Sequence, residues 1–295
     1  GSRGITDDGI SVESAGTFGD LRSPRSAGGG GSYGDGGGLV RVVTTTDGSI
    51  VLHGQIKANG CEHPSGSGAG GGVFIQTPSF GGSGKIEAKG GDGVYSLCGS
   101  SCYTNGGGGG GGRVAIVGYN SLSGNFAGQA LVNHIDVSGG EAASGAAGAG
   151  TLFLQSALAA HGDLIVSNQG KQSVSNATVL SSVGSGVVFS ASAEELIDPD
   201  KSWLPNMFKD HTINPNVDQG NPDSLVDDIF ATLVGNTATS LFATSNLELG
   251  EPGATYRSVH VFDNLEIRDG ASVSTDGGEL LVFHGDLFSE DEESF

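Results

Sequence analysis

Gly111-Gly112-Arg113-Val114-Ala115-Ile116-Val117 is the stretch that decides the fold. Its second half alternates, with Val114 and Ile116 on one face, and period-two alternation rich in β-branched residues marks a strand that buries one side. The same run occurs as Leu39-Val40-Arg41-Val42-Val43, Val73-Phe74-Ile75-Gln76, Leu152-Phe153-Leu154-Gln155 and Val259-His260-Val261-Phe262. Stacked, these give one column of Val40, Val73, Val114, Leu152 and Val259 and another of Val42, Ile75, Ile116, Leu154 and Val261. A second motif puts an aliphatic residue two places before a small or apolar one, with glycine soon after. It reads Ile10-Ser11-Val12-Glu13, Ile56-Lys57-Ala58-Asn59-Gly60, Ile86-Glu87-Ala88-Lys89-Gly90 and Ile135-Asp136-Val137-Ser138-Gly139, with looser copies at Leu164-Ile165-Val166-Ser167 and Leu265-Glu266-Ile267-Arg268.

The first four copies of the alternating run recur at intervals of roughly 30 to 40 residues, the period of a repeat architecture. A strand this short cannot bury its apolar face alone, so equivalent strands must stack. In-register stacking at about 4.8 Å per rung predicts an all-β chain, a parallel β-solenoid with an aliphatic interior. A sandwich of hairpins is disfavoured, because Asn-Gly turns between adjacent runs are missing.

Glycine accounts for 55 of 295 residues. The blocks from Gly28 to Gly38, Gly66 to Gly72, Gly106 to Gly112 and Gly139 to Gly150 all precede an alternating run, so they are expected to emerge on one side, rung above rung. Two explanations stand beside each other. Glycine lets backbones approach closely or take positive φ; alternatively, the runs form extended polyproline-II-like strands layered into a sheet. Phe74 and Phe153 fall at outward positions and need a cover, for which the glycine-rich layer is the nearest candidate. The composition excludes other classes. Glycine does not fall at every third position, so collagen is excluded. A net charge of −20 with no basic stripe argues against nucleic acid. No apolar run approaches the ~20 residues of a membrane span.

Gln55-Ile56-Lys57-Ala58-Asn59-Gly60 followed by glycine, together with Gly111-Gly112-Arg113-Val114-Ala115-Ile116 and Gly150-Thr151-Leu152-Phe153-Leu154, resembles the glycine-rich parallel β-helix regions of large secreted and cell-surface proteins. The resemblance covers about residues 10–190 and 257–288. It implies a right-handed, pectin-lyase-like solenoid with an extracellular adhesive or structural role as a module of a larger protein, and it transfers no catalytic residue. Residues 191–256 depart from the pattern and hold Trp203, Met207 and five of the eight prolines. There Ser224-Leu225-Val226-Asp227 reads as a capping box opening a helix through Ile229, Phe230 and Leu233. The expected organisation is therefore a glycine-rich solenoid over 1–190, a partly helical insertion over 191–256, and closing rungs with an acidic tail over 257–295.

Candidate chemistry is sparse. Glu87 and Asp136 fall on adjacent rungs, near the carboxylate separation of a retaining glycosidase, which gives the alternative of a polysaccharide-degrading lyase or hydrolase; the competing reading is a solvated charge ladder in which Lys57 offsets Glu87. Cys61 lies in one glycine-rich loop and Cys98 and Cys102 in the next. A disulfide in an oxidising compartment is favoured over a zinc site completed by His63. Asp7, Asp8, Asp35, Asp47 and Asp92 sit beside turn glycines, so they read as calcium ligands or as ordinary Asp-Gly turns. No cofactor is required. Asn176 opens a glycosylation sequon that matters only in a eukaryotic secretory source. The expected partners are extracellular polysaccharide or a surface protein, with self-association through open solenoid ends.

Overall fold

The alternating runs become strands, and the order in which they pair sets the architecture. The computed structural model describes residues 4–5, 11–12, 19–93, 96–97, 103–104, 106–142, 145–172, 177–217, 229–275 and 279–289. The chain is all-β with several sheets, and it divides into two units: Gly1–Val179 with Asp263–Ser274 and Gly285–Phe295, and Leu180–Phe262 with Thr275–His284.

In the first unit the chain visits three sheets in turn, then does so again. Its first pass is β1 (Leu39–Val43), β2 (Ser49–Val51) and β3 (Gln55–Lys57); its second is β4 (Gly72–Gln76), β5 (Ser79–Gly81) and β6 (Lys85–Glu87). The third is β7 (Arg113–Tyr119), β8 (Ser121–Leu122) and β9 (Ile135–Asp136), and β10 (Thr151–Ser156) follows. β1, β4, β7 and β10 pair in parallel with Val40, Val73, Val114 and Leu152 in register, as the columns predict. Ile56, Ile86 and Ile135 align in the same way through β3, β6 and β9. The middle sheet aligns Ile50, Phe80 and Leu122, on strands too short to show alternation in the sequence. The inward side chains of all three sheets, with Ala58, Ala88, Val137 and Phe126, form one core.

The stacking then changes direction. β11 (Asp163–Ser167) runs antiparallel to β10 and places Ile165 opposite Leu152, so it does not extend the third column as its motif predicts. The connection from Ala157 to Gly162 is short enough for a direct reversal. Gly162 has φ of 80°, and the Asp263 carboxylate accepts its N–H at 2.7 Å. Leu265–Arg268 and Leu287–Ser289 then add to β11 in parallel.

The outward row Arg41, Phe74, Ala115 and Phe153 is covered, though not by the glycine-rich layer. Residues 19–27 reach this face. The Arg41 guanidinium lies 4.0 Å over the Phe74 ring and donates to the Pro24 carbonyl at 2.7 Å. Arg22 lies 4.9 Å over Phe153 and donates to the His161 carbonyl at 2.6 Å. Stacking on an arginine suits a ring that must be buried on the polar side of a sheet.

The glycine blocks form a backbone lattice. Gly34 and Gly37 donate to Gly66 and Ala69, and Ser67 and Gly70 donate to Gly107 and Gly110, so partners step by three residues along both segments. The segments that leave β3, β6 and β9 run the other way. Gly68 and Gly71 donate to Cys61 and Ala58, Gly109 and Gly112 to Gly91 and Ala88, and Ala147 and Gly150 to Gly140 and Val137. A three-residue period with all bonds between segments is that of extended polyproline-II-type chains. Among the described glycines of these blocks only Gly66 and Gly145 have positive φ, so close approach and not handedness excludes side chains. A Cβ on Gly68, Gly109, Gly140 or Gly150 would fall on the carbonyl oxygen of Asp35, Gly68, Gly91 or Gly112 respectively.

In the second unit the strands are mostly antiparallel. Its core packs Val188, Leu196, Phe208, Ile213, Leu233, Leu241 and Tyr256. The buried Tyr256 hydroxyl donates to Asp198 at 2.7 Å, and burial pushes its pKa up. The expected helix is corrected here. Residues 221–228 lie outside the described residues, but Leu233 belongs to the strand Ala231–Asn236, whose Ala231, Leu233 and Gly235 are buried while Thr232 and Val234 are exposed. The i, i+4 match of Ile229 to Leu233 was also compatible with that period of two. Val259 and Val261 pair with Leu280 and Val282 and do not stack on Leu152 and Leu154. The unit is wider than the expected 191–256.

The lattice yields a paired test. Gly109→Ala or Gly150→Ala drives a methyl into backbone and is expected to cost about 3 kcal/mol or more. Gly38→Ala, where a Cβ meets nothing within 4 Å, should change stability by about 0.5 kcal/mol or less. Urea unfolding of the three variants checks the contrast.

Candidate functional site

Among the described residues three turns join paired glycine segments, and the first two meet, since Gly34 donates to the Gly66 carbonyl. They are closed by Gly31 N–H to Gly34 O at 2.7 Å, Gly66 N–H to His63 O at 3.2 Å and Gly145 N–H to Ala142 O at 3.0 Å. The first two carry an aromatic pair, with the Tyr33 and His63 rings 5.2 Å apart at 30°. Tyr33 is 75% exposed. His63 is fixed from behind, since its Nδ1 accepts the Ser65 N–H at 3.1 Å and its own N–H donates to the Ser67 hydroxyl at 2.9 Å. That hydroxyl donates to the Asp92 carbonyl at 2.6 Å, linking this turn to the next glycine segment. Exposed Asp35 and Glu62 lie beside the ring pair in sequence.

The chemistry offered here is a flat exposed ring on a hydrogen-bonded backbone, with exposed carboxylates two residues from Tyr33 and one from His63 in sequence. An aromatic face accepts the C–H side of a sugar ring, and carboxylates accept its hydroxyls. Tyr33 is legible in the sequence only as an aromatic interrupting a glycine block. Its pairing with His63 depends on two turns coming into register.

The predicted carboxylate pair is brought together, since Glu87 and Asp136 are register partners. Their surroundings differ from those of a catalytic pair. Glu87 has only 11% of its side chain exposed and meets Lys85 at 3.1 Å and Lys57 at 3.4 Å. Asn59 donates to it at 3.1 Å. Burial alone would raise the Glu87 pKa, but Asn59, Lys85 and Lys57 together hold it below the usual carboxylate range. A glycosidase acid needs the opposite shift. Asp136 accepts the N–H of Ser138 at 3.0 Å and so caps its own turn.

Cys61 is a free, exposed thiol, whereas Cys98 and Cys102 lie outside the described residues. Asp7, Asp8 and Asn176 also lie outside them. Asp47 accepts the Thr45 hydroxyl at 2.8 Å, and Asp92 accepts the Glu141 N–H at 2.7 Å. Among the described residues no three His, Cys, Asp or Glu side chains converge on one point, and no helix is long and apolar enough to cross a membrane. No family model, curated protein or solved structure matches the chain.

The Glu87 cluster gives a pH test with a definite sign. Its folded pKa is depressed, so its stabilisation is present above the unfolded value of about 4.3 and is lost as pH falls through the lower folded value. Glu87→Gln should therefore lower stability at pH 7 by about 1–3 kcal/mol, and the difference from wild type should shrink below about pH 4 in urea titrations.

Proposed function

We propose that this chain is a non-catalytic extracellular module, adhesive or structural, built as a glycine-rich parallel β-helix of a larger surface or secreted protein. The three parallel sheets visited in order, their common core and the glycine blocks gathered beside them support the β-helix reading. The observation that carries the function is the exposed Tyr33 ring stacked on His63 at the turns of the lattice. Ordinary loops reach such a position only by ordering flexible backbone at the moment of binding. Here the backbone is already fixed by hydrogen bonds every third residue. The ligand that fits an exposed ring flanked by Asp35 and Glu62 is a neutral polysaccharide or the sugar-bearing surface of a protein. Calcium at Asp35, Asp47 or Asp92 is an accessory to this reading, since a divalent ion bridges carboxylates to acidic sugars. The depressed pKa of Glu87 weighs against the degrading-enzyme alternative.

Affinity electrophoresis against a panel of neutral and acidic polysaccharides, with and without calcium, tests the reading. The wild-type chain should be retarded by at least one polymer without shortening it, and Tyr33→Ala should weaken that binding about tenfold or more. Shortened polymer, or equal retardation of the variant, would overturn it.

A further inference from the structure

The first pass of strands is open on one side. Among the described residues β1 pairs only with β4, β2 only with β5 and β3 only with β6. Val40, Ile50, Leu52 and Ile56 are partly buried there, whereas Val73, Phe80 and Ile86 one step inward are completely buried. Val43 and Val51 are 59% and 65% exposed. Three strand edges and the end of an apolar core therefore face the same way.

The ladder fixes which backbone groups lie on that open side. In a parallel pair each residue turns both its N–H and C=O to one neighbour, and successive residues alternate. The bonds Gly72 N–H to Gly38 O and Thr44 N–H to Gln76 O assign Val40 and Val42 to β4, so Leu39, Arg41 and Val43 face the open edge. Leu52 N–H to Gly81 O leaves Ser49 and Val51 facing it from β2. Lys85 N–H to Gly54 O and Ala58 N–H to Glu87 O leave Gln55 and Lys57 facing it from β3.

We propose that this end is the interface of a two-fold symmetric, head-to-head dimer of the chain. An axis through Arg41 pairs β1 with its own copy in antiparallel register, Leu39 opposite Val43 and Val40 opposite Val42. The same axis exchanges the other two sheets, so β2 meets β3 of the second copy, with Ser49 opposite Lys57, Ile50 opposite Ile56 and Val51 opposite Gln55. Every residue whose polar groups face the edge then meets another that does the same, and every inward aliphatic meets an inward aliphatic. This self-complementarity is what an isologous interface requires. Asp47 precedes β2 and Lys57 ends β3, so the exchange brings these opposite charges to one corner; the two Arg41 side chains that meet on the axis are each turned to Phe74 and the Pro24 carbonyl of their own chain. Residues 19–113 carry nearly balanced charge although the chain carries −20, so the open end is spared much of the repulsion that opposes association. The far end of the first sheet is built differently, since β10 is followed there by antiparallel β11 and then by Leu265–Arg268 and Leu287–Ser289, so it does not present the three edges in the order that the first pass does.

The inference rests on the stacked-strand reading and not on the binding role of Tyr33. Sedimentation equilibrium of the full chain should give a mass about twice 29.4 kDa, falling towards the monomer on dilution. Val51→Pro removes an N–H that faces the open edge and no internal ladder bond, so it should abolish the dimer while leaving far-UV circular dichroism unchanged. Should Val51→Pro fail to fold, hydrogen exchange of the wild type decides: amides of Leu39, Arg41, Val43 and Val51 should slow as concentration rises, while those of the second unit do not. A monomer at all concentrations, an open series of higher masses, a folded Val51→Pro chain that still dimerises, or exchange at these amides independent of concentration would each overturn the proposal. Tyr33→Ala should remain dimeric, so loss of polysaccharide binding and loss of the dimer are read separately.

Discussion

Carbonyl oxygens fill the places where Cβ atoms would stand in the glycine segments, and the rest of the first unit depends on that contact. A chain with a glycine in nearly every position loses more conformational freedom on ordering than any other, and it has no side chains to bury in return. The offset has to come from backbone hydrogen bonds, and these form only if segments approach more closely than side chains allow. Gly68 shows the constraint from both sides. It sits over the Asp35 carbonyl, donates to the Cys61 carbonyl, and has its own carbonyl accepting from Gly91. One methyl there would disturb three neighbouring segments. The lattice also ties successive passes together outside the aliphatic core, so the spacing of the strands and the spacing of the glycine segments reinforce each other.

The outward face of the first sheet shows a second solution to burial. Phe74 and Phe153 point away from the core and are covered by arginines, not by more aliphatics: Arg41 from the neighbouring strand and Arg22 from the crossing segment 19–27. Each spreads a guanidinium over a ring while donating across the contact, Arg41 to the Pro24 carbonyl of the crossing segment and Arg22 from that segment to the His161 carbonyl. Arg113 is half-buried two residues before Ala115 on the same face, and burial lowers its pKa while Asp20 opposes that shift. Few cations are available in this acidic chain, and several of them are spent on holding down one strap.

What the sequence made legible follows from how local each signal is. Val40, Val73, Val114 and Leu152 form a column because period-two alternation is written in a handful of adjacent residues, and their register is as expected. The middle sheet was invisible, since Ser49-Ile50-Val51 and Ser79-Phe80-Gly81 contain too few residues to show a period. Leu164-Ile165-Val166 carries the motif of the third sheet yet joins the first. The direction of a strand is set by the turn before it, here Gly162 held by Asp263 from a distant part of the chain. Leu233 fitted a helix and a strand equally well, and the exposure of Thr232 and Val234 decides between them. The need to cover Phe74 is legible from its outward position, but the covering segment is not, because residues 19–27 have no periodicity at all. Tyr33 and His63 are 30 residues apart in sequence, and their ring contact arises only when two turns come together.

The placement of the exposed chemistry at the turns, and not on the sheets, has a physical reason. Between stacked parallel strands an outward side chain has its register partners directly above and below at about 4.8 Å, so like charges repel and opposite charges pair. Lys57, Glu87 and Asp136 are one such row, and the pairing of Glu87 with Lys57 and Lys85 holds that carboxylate in its charged form. At the turns no such ladder exists. Each pass contributes a different short segment, free to differ in length and composition from the one beneath it, while the glycine lattice fixes where its ends emerge. Differences between passes therefore cost the core least at the turns, where the hydrogen-bonded glycine segments lie directly beneath them.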